Sequence, residues 1–331
     1  MSRRAKAASA DRARASRRGT SRSSVAAWAR LEDSSAAAFC AVPGTVANLL
    51  RGTPLLLSEH GVYLREQYYS IGKSALPAFQ KRGLIGMVRA VAQAAYARAT
   101  VVAPVAAFNG RWEQELGVPA DRIRVVYNGV DPSVYQERPY DRGRPPTVVS
   151  VARIDPVKDL GTLMQAALIV RESLPDVRFI VYGGVSDPAY HRHLLALHNE
   201  LMLEESFVLA GHSNSVVEAY GQADVVALSS ITEGFPYAVI EAMMCGRAIV
   251  STDVGGSAEA LGDSGFLVRP RDPEEMATAL LQLLRNPRLA RDLGTDGRER
   301  ALNLFTTQRF TQAYAGLYEE LATRQQVPMI A

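Results

Sequence analysis

From residue 147 onward, short apolar runs alternate with segments whose apolar residues recur every three or four positions. The runs TVVSVARI (147–154), VRFIVYG (177–183), SFVLAG (206–211), DVVALSS (224–230), AIVSTDV (248–254) and GFLVRP (265–270) predict strands. Their near-continuous, β-branched character fits strands covered on both faces. LGTLMQAALIVRESL, YHRHLLALHNELML and YAVIEAMMCG between them have helical spacing, so the pattern is one of βα units around a parallel sheet. DPEEMATALLQLLRN adds a start signal, with Asp272 to cap, Pro273 at the first helical position and Glu275 to complete a capping box. TQRFTQAYAGLYEELATRQ puts Phe310, Tyr314, Leu317, Tyr318 and Leu321 on one stripe of a closing helix.

Before residue 128 the pattern is sparser. LLLSEH (55–60), TVVAP (100–104) and IRVVYN (123–128) predict strands, with AAFCAV (37–42) as a fourth candidate, enough for only part of a second parallel sheet. The expected organisation is a basic tail (1–24), a partial first lobe (25–138), a Pro-rich linker PYDRGRPP (139–146), a second Rossmann-like lobe (147–305) and a closing helix (306–331).

Composition refines this picture. The 331 residues are 47% hydrophobic and 21% charged, as in a soluble globular chain, and no apolar run is long enough to span a bilayer. Residues 1–24 hold eight Lys or Arg against Asp11, a local +7; the total of +3 less this +7 leaves −4 for the remainder. Such a tail reads as disordered, with anionic lipid contact, nucleic acid contact or organellar targeting as the functional alternatives, and no nucleic-acid partner is expected for the body. Cys40 and Cys245 are the only cysteines, which suits a reducing cytoplasm, and Cys245 reads as a buried thiol.

The stretch ITEGFPYAVIEAMMCG (231–246) carries the most chemistry. Glu233 follows a strand, at the end of a parallel sheet where open α/β folds bind ligands. Pro236 opens a helix whose free N–H groups favour an anion, and Glu241 lies among apolar residues, where a carboxylate needs hydroxyls or a cation. In the plainer alternative Glu233 caps the helix and Glu241 is a solvated surface group. SVARIDPVKD (150–159) places Arg153 and Lys158 in the loop after the first strand of the same lobe, able to hold a diphosphate together without a metal. His191, His193 and His198 lack the spacing of a metal site and read as exposed helix residues.

These residues, with YNGVDP (127–132) and STDVGGSAEAL (251–261), resemble the retaining nucleotide-sugar transferases of glycosyltransferase family 4, in the family's order over about residues 100–320. The resemblance implies an α/β GT-B architecture, two Rossmann-like lobes with the donor between them and the first lobe incomplete. It implies that Arg153 and Lys158 hold the donor diphosphate, that Glu241 binds ribose, and that Glu233, Gly234, Phe235 and Pro236 meet the donor sugar, with Tyr237, His212 and Ser213 completing the donor site. SEHGVYLREQ (58–67) is similar to the signature of the PelF-type exopolysaccharide branch, which makes His60 the active-site histidine of the first lobe and UDP-glucose the donor. Arg65 and Glu66 then either bind acceptor or pair on a surface, and Tyr68, Tyr69 and Phe79 either line an acceptor groove or pack in the core.

The expectation is a hexosyltransferase without cofactor or metal. Its partners would be a nucleotide-sugar donor, a carbohydrate acceptor and membrane-associated polysaccharide machinery, with the chain cytoplasmic or peripheral at the inner membrane face. PelF-type proteins carry a longer first lobe with a glycine-rich loop, and none precedes Gly52. A nucleotide-sugar-binding remnant or subunit is therefore the alternative, and a nucleotide-sugar epimerase on a similar scaffold is a third reading.

Overall fold

A computed structural model describes residues 31–140 and 143–324. The basic tail lies outside them. The first lobe is a parallel sheet of three strands among the described residues, β1 (Glu32–Ser34), β2 (Leu55–Glu59) and β3 (Val101–Pro104), in that order across the sheet. Helices α1 (Val42–Arg51), α2 (Tyr63–Lys73), α3 (Ala78–Arg98) and α4 (Ala107–Glu115) accompany it. Alternate strand residues serve opposite faces. Leu55, Leu57 and Val102 meet Val88, Ala92 and Tyr96 of α3, whereas Leu56, Val101 and Ala103 face the other way.

Two expectations for this lobe fail. Residues 37–42 are not a strand: a 3-10 turn (Ala38–Ala41) runs into α1, because Pro43 suits the first turn of a helix and has no N–H for a sheet ladder. The strand is Glu32–Ser34 instead, too short and polar to show periodicity. IRVVYN forms no regular strand either. Arg124 and Val126 each donate an N–H to β3, to the carbonyls of Val102 and Pro104 at 2.9 Å, before the chain leaves the sheet.

The second lobe follows the predicted pattern. Strands β4 (Thr147–Val151), β5 (Arg178–Tyr182), β6 (Phe207–Gly211), β7 (Val225–Leu228), β8 (Ala248–Thr252) and β9 (Phe266–Val268) form one parallel sheet in the order β6-β5-β4-β7-β8-β9. The helices are α5 (Leu160–Ser173), α6 (Pro188–Glu200), α7 (Val216–Gly221), α8 (Tyr237–Met244), α9 (Ser257–Leu261), α10 (Pro273–Arg285), α11 (Pro287–Leu304) and α12 (Thr307–Arg324). Val148, Ala227 and Val250 point into a core shared with α5, α6 and α10; Val149, Leu228 and Ile249 point into one shared with α7, α8 and α11. Burial on both sides is why these strands read as unbroken apolar runs. Asp272 caps α10 by accepting from the Glu275 N–H at 2.9 Å. The capping box is only half made, because the Glu275 carboxylate turns instead to the N–H and Nε of Arg269.

Two crossings join the lobes. After Val126, residues 128–140 lie against the second lobe, where Tyr135 reaches Glu241 and Tyr140 reaches the Gly246 carbonyl. The return runs through Phe305–Thr307 into α12, whose Tyr314, Leu317 and Leu321 pack on Leu56, Val101 and Ala103 of the first lobe. The two crossings bond to each other: the Val130 N–H donates to Phe305 and the Thr307 N–H to Val130, at 2.9 and 3.0 Å.

Candidate active site

Strand β4 has β5 on one side and β7 on the other, so the winding of the sheet reverses there and a crevice opens beyond the carboxyl ends of β4 and β7. Its volume is about 440 Å³. The loop after β4 supplies Arg153 and Lys158, the turn after β6 supplies His212 and Ser213, and the loop after β7 supplies Glu233 to Pro236. Helix α8 adds Tyr237 and Glu241, and His60 enters from the end of β2 in the opposite lobe. All the site residues expected from the sequence thus border one space.

Close backbone approaches shape it. A Cβ at Gly183 would lie 1.9 Å from the Ala152 carbonyl, and one at Gly234 would lie 2.4 Å from the His60 carbonyl, so no larger residue fits either place as folded. The motifs noted in the sequence converge on the Glu233–Pro236 loop. Tyr127 stacks on Phe235 with centroids 5.3 Å apart, Asn128 Nδ2 donates to the Phe235 carbonyl at 3.2 Å, and the Gly256 N–H donates to the Gly234 carbonyl at 2.9 Å. Glu259, from α9, accepts from the N–H groups of Ala107 and Phe108 and so caps α4 of the other lobe.

The two glutamates are held differently. Lys158 Nζ lies 2.6 Å from Glu233 Oε1, which also accepts from Ser230 Oγ at 2.6 Å. The side chains are only 20% and 12% exposed, so the attraction is little screened. Lys158 is positioned by a short 3-10 turn (Pro156–Lys158) whose cap, Asp155, accepts from the Val157 N–H. Glu233 therefore does not cap α8. Glu241 is no solvated surface group: its two oxygens accept from the hydroxyls of Tyr135 and Tyr220 at 2.9 and 2.8 Å. Burial, and next the Glu241 charge, push both phenols above their ordinary range, so they stay protonated donors. Each carboxylate oxygen keeps a further lone pair. Arg153 is exposed, with Nη1 3.3 Å from Ser186 Oγ. The buried Ser150 Oγ and Asn128 Oδ1 border the crevice without a partner.

A second crevice, of about 730 Å³, meets the first at Arg153, Lys158, Glu233 and Gly234. The first lobe contributes Arg65, Glu66, Tyr68, Tyr69 and Asn109 to it. Phe79 is 70% exposed and lies elsewhere. Sequence reasoning did not find Tyr135, Tyr220, Ser230 or Asn109: Tyr135 and Tyr220 reach Glu241 from 106 and 21 residues away, Ser230 meets Glu233 through the fold of its loop, and Asn109 is placed by the first lobe, none of which a spacing rule encodes. Of the three histidines on α6 only His193 is exposed: His191 is half-buried, and so is His198, whose Nε2 lies 2.7 Å from the Phe207 carbonyl. Among the described residues no group of three or more potential ligands gathers for a metal, and no helix is long and apolar enough to cross a membrane. Cys245 is buried, and burial pushes its thiol up to about 11.

Two parallel α/β lobes facing across a ligand-sized crevice, tied by a final helix that returns to the first lobe, define a GT-B architecture. Comparison with known proteins agrees. The solved structure of Anabaena Alr3699/HepE in complex with UDP superposes with a TM-score of 0.73 at 20% identity, over 85% of this chain and 76% of that one. Sucrose-phosphate synthase from Thermosynechococcus elongatus gives a TM-score of 0.73 at 24% identity, over 86% and 72%. Residues 145–286 match the family described as Glycosyl transferases group 1, and residues 29–121 match a domain of unknown function, DUF3492. Among curated proteins, N-acetyl-alpha-D-glucosaminyl L-malate synthase of Bacillus anthracis is 28% identical over 62% of this chain and 56% of its own length. D-inositol 3-phosphate glycosyltransferase of Rhodococcus jostii is 33% identical over 52% and 41%. The chain spans about half the length of the curated relatives it matches.

Proposed function

We propose that this chain is a glycosyltransferase that moves a hexose from a nucleotide diphosphate sugar to a carbohydrate hydroxyl. The observation that carries the reading is the pairing, in one interlobe crevice, of a carboxylate anchored by two tyrosines with a basic loop facing the start of α8. The names of the relatives, glycosyltransferases and a sugar–malate synthase, support the reaction class. In this reading the donor is UDP-glucose, the anomeric configuration is retained, and the product belongs to a polysaccharide made at the cytoplasmic membrane face.

The roles follow from charge. As the bond from the sugar to the diphosphate breaks, negative charge grows on the leaving phosphate, where Arg153, Lys158 and the free N–H groups at the start of α8 stabilise it. Glu241 takes the ribose hydroxyls, for which Tyr135 and Tyr220 fix its orientation. Lys158 is already held on Glu233, so a diphosphate finds it oriented and shares its charge. Glu233 and His60 face the sugar, and the acceptor proton passes to the departing phosphate. No step in this scheme calls on a metal.

The test is UDP release from UDP-glucose, with UDP affinity measured alongside. Lys158→Ala is expected to lower turnover by about 10²-fold or more, the usual cost of removing one charge-stabilising group. Unchanged turnover would remove Lys158 from this role. A second reading, nucleotide binding without turnover, is favoured by a first lobe that has three strands among the described residues, and any robust turnover excludes it.

A further inference from the structure

The second crevice contains a residue that the donor chemistry leaves unused. Asn109, in the first turn of α4, is 1% exposed and borders the crevice, yet neither its Oδ1 nor its Nδ2 finds a hydrogen-bond partner. A buried, unpaired amide carries an uncompensated desolvation cost, which a bound partner offsets. Oδ1 accepts and Nδ2 donates, so the complementary ligand both gives and takes hydrogen bonds, as neighbouring hydroxyls do. A carboxylate or phosphate only accepts, and would leave Oδ1 unpaired against a like charge.

The charges agree. Arg65, Arg153 and Lys158 are balanced by Glu66, Asp155 and Glu233, so the crevice offers no net field for an anion. Arg65 is fixed across Phe108 and Trp112, 5.5 and 5.9 Å from the ring centroids, and Tyr68 presents a ring that is 45% exposed. Oriented polar groups beside an open aromatic face suit a pyranose. The crevice also meets the donor site at Glu233 and Gly234, where a bound hydroxyl would lie next to the transferred sugar.

We infer that Asn109 is an acceptor-positioning residue whose amide takes a vicinal pair of hydroxyls on a neutral saccharide, and that this crevice selects against acidic acceptors. The inference rests on the transferase reading for its consequence, but binding tests it separately. Saturation-transfer NMR on the full chain with UDP would compare maltotriose, cellotriose and chitotriose with glucose 6-phosphate and glucuronate. At least one neutral trisaccharide should bind at least tenfold more tightly than either acid. Asn109→Ala and Asn109→Leu should lose tenfold or more of that affinity while binding UDP within twofold of the parent. Asn109→Leu should unfold at no lower temperature, because it removes an unpaired amide from the interior.

The inference is overturned if none of the trisaccharides binds, if the acids bind as tightly, or if both variants bind like the parent. Loss of UDP binding by the parent would overturn the donor assignment instead, and the saccharide titration repeated without UDP would still decide the role of Asn109.

Discussion

Glu113, one turn beyond Asn109 on α4, is fully buried, and neither carboxyl oxygen has a hydrogen-bond donor among the described residues. Burial, and next the Glu59 charge, raise its carboxyl to about 8. The unfolded chain releases this proton near the ordinary value of 4.5, whereas the folded chain keeps it until about 8. The folded state therefore binds more protons across that window, and stability falls as pH rises through it, by about 1.4 kcal/mol per pH unit. Glu113→Gln keeps the shape and removes the titration. Between pH 5.5 and 7.5 the variant should gain on the parent by roughly 2–3 kcal/mol, a little under two pH units of that slope. Urea unfolding at several pH values, followed through the neighbouring Trp112, measures the gap. A gap that stays constant from pH 5.5 to 8, or a variant less stable than the parent at pH 8, would refute the reasoning.

Two further substitutions probe the architecture. In Gly234→Ala the new methyl meets the His60 carbonyl and must push the lobes apart. Turnover should fall by about 10- to 100-fold through misplaced groups, with the unfolding temperature little changed; full activity would show that this approach does not set the site. Leu321→Ala, at a fully buried position where α12 meets the first lobe, should cost about 2–5 kcal/mol in urea unfolding, and a loss below about 1 kcal/mol would mean that α12 does not clamp that lobe.

The sequence was most legible where local pattern and burial agree. In β4 to β9 both faces are covered, so each strand stands out as an apolar run, and Asp272-Pro273 marks its helix by chemistry that acts within one turn. It was least legible where tertiary contacts decide. Glu32–Ser34 is a strand because β2 lies beside it, and Ala38–Ala41 turns because a helix starts at Val42 with Pro43 in its first turn. The same division runs through the site. Glu233, Glu241, Arg153 and Lys158 were visible as residue types near strand ends, but the Lys158–Glu233 pair and the tyrosines on Glu241 join segments 21 to 106 residues apart. Glu275 shows a local rule losing to a neighbour, since Arg269 competes for its carboxylate and carries a full charge.

The two chain crossings, bonded to each other through Val130, Phe305 and Thr307, bear on how tightly the site can hold its ligands. A flexible linker would let the lobes sample many orientations, and a ligand bridging them would have to overcome that freedom. Here the paired crossings act as a strap. They keep His60 and the Glu233 loop at a high effective concentration of each other before any ligand arrives, so the binding free energy of a ligand goes to ordering that ligand and not to assembling the two halves of the protein.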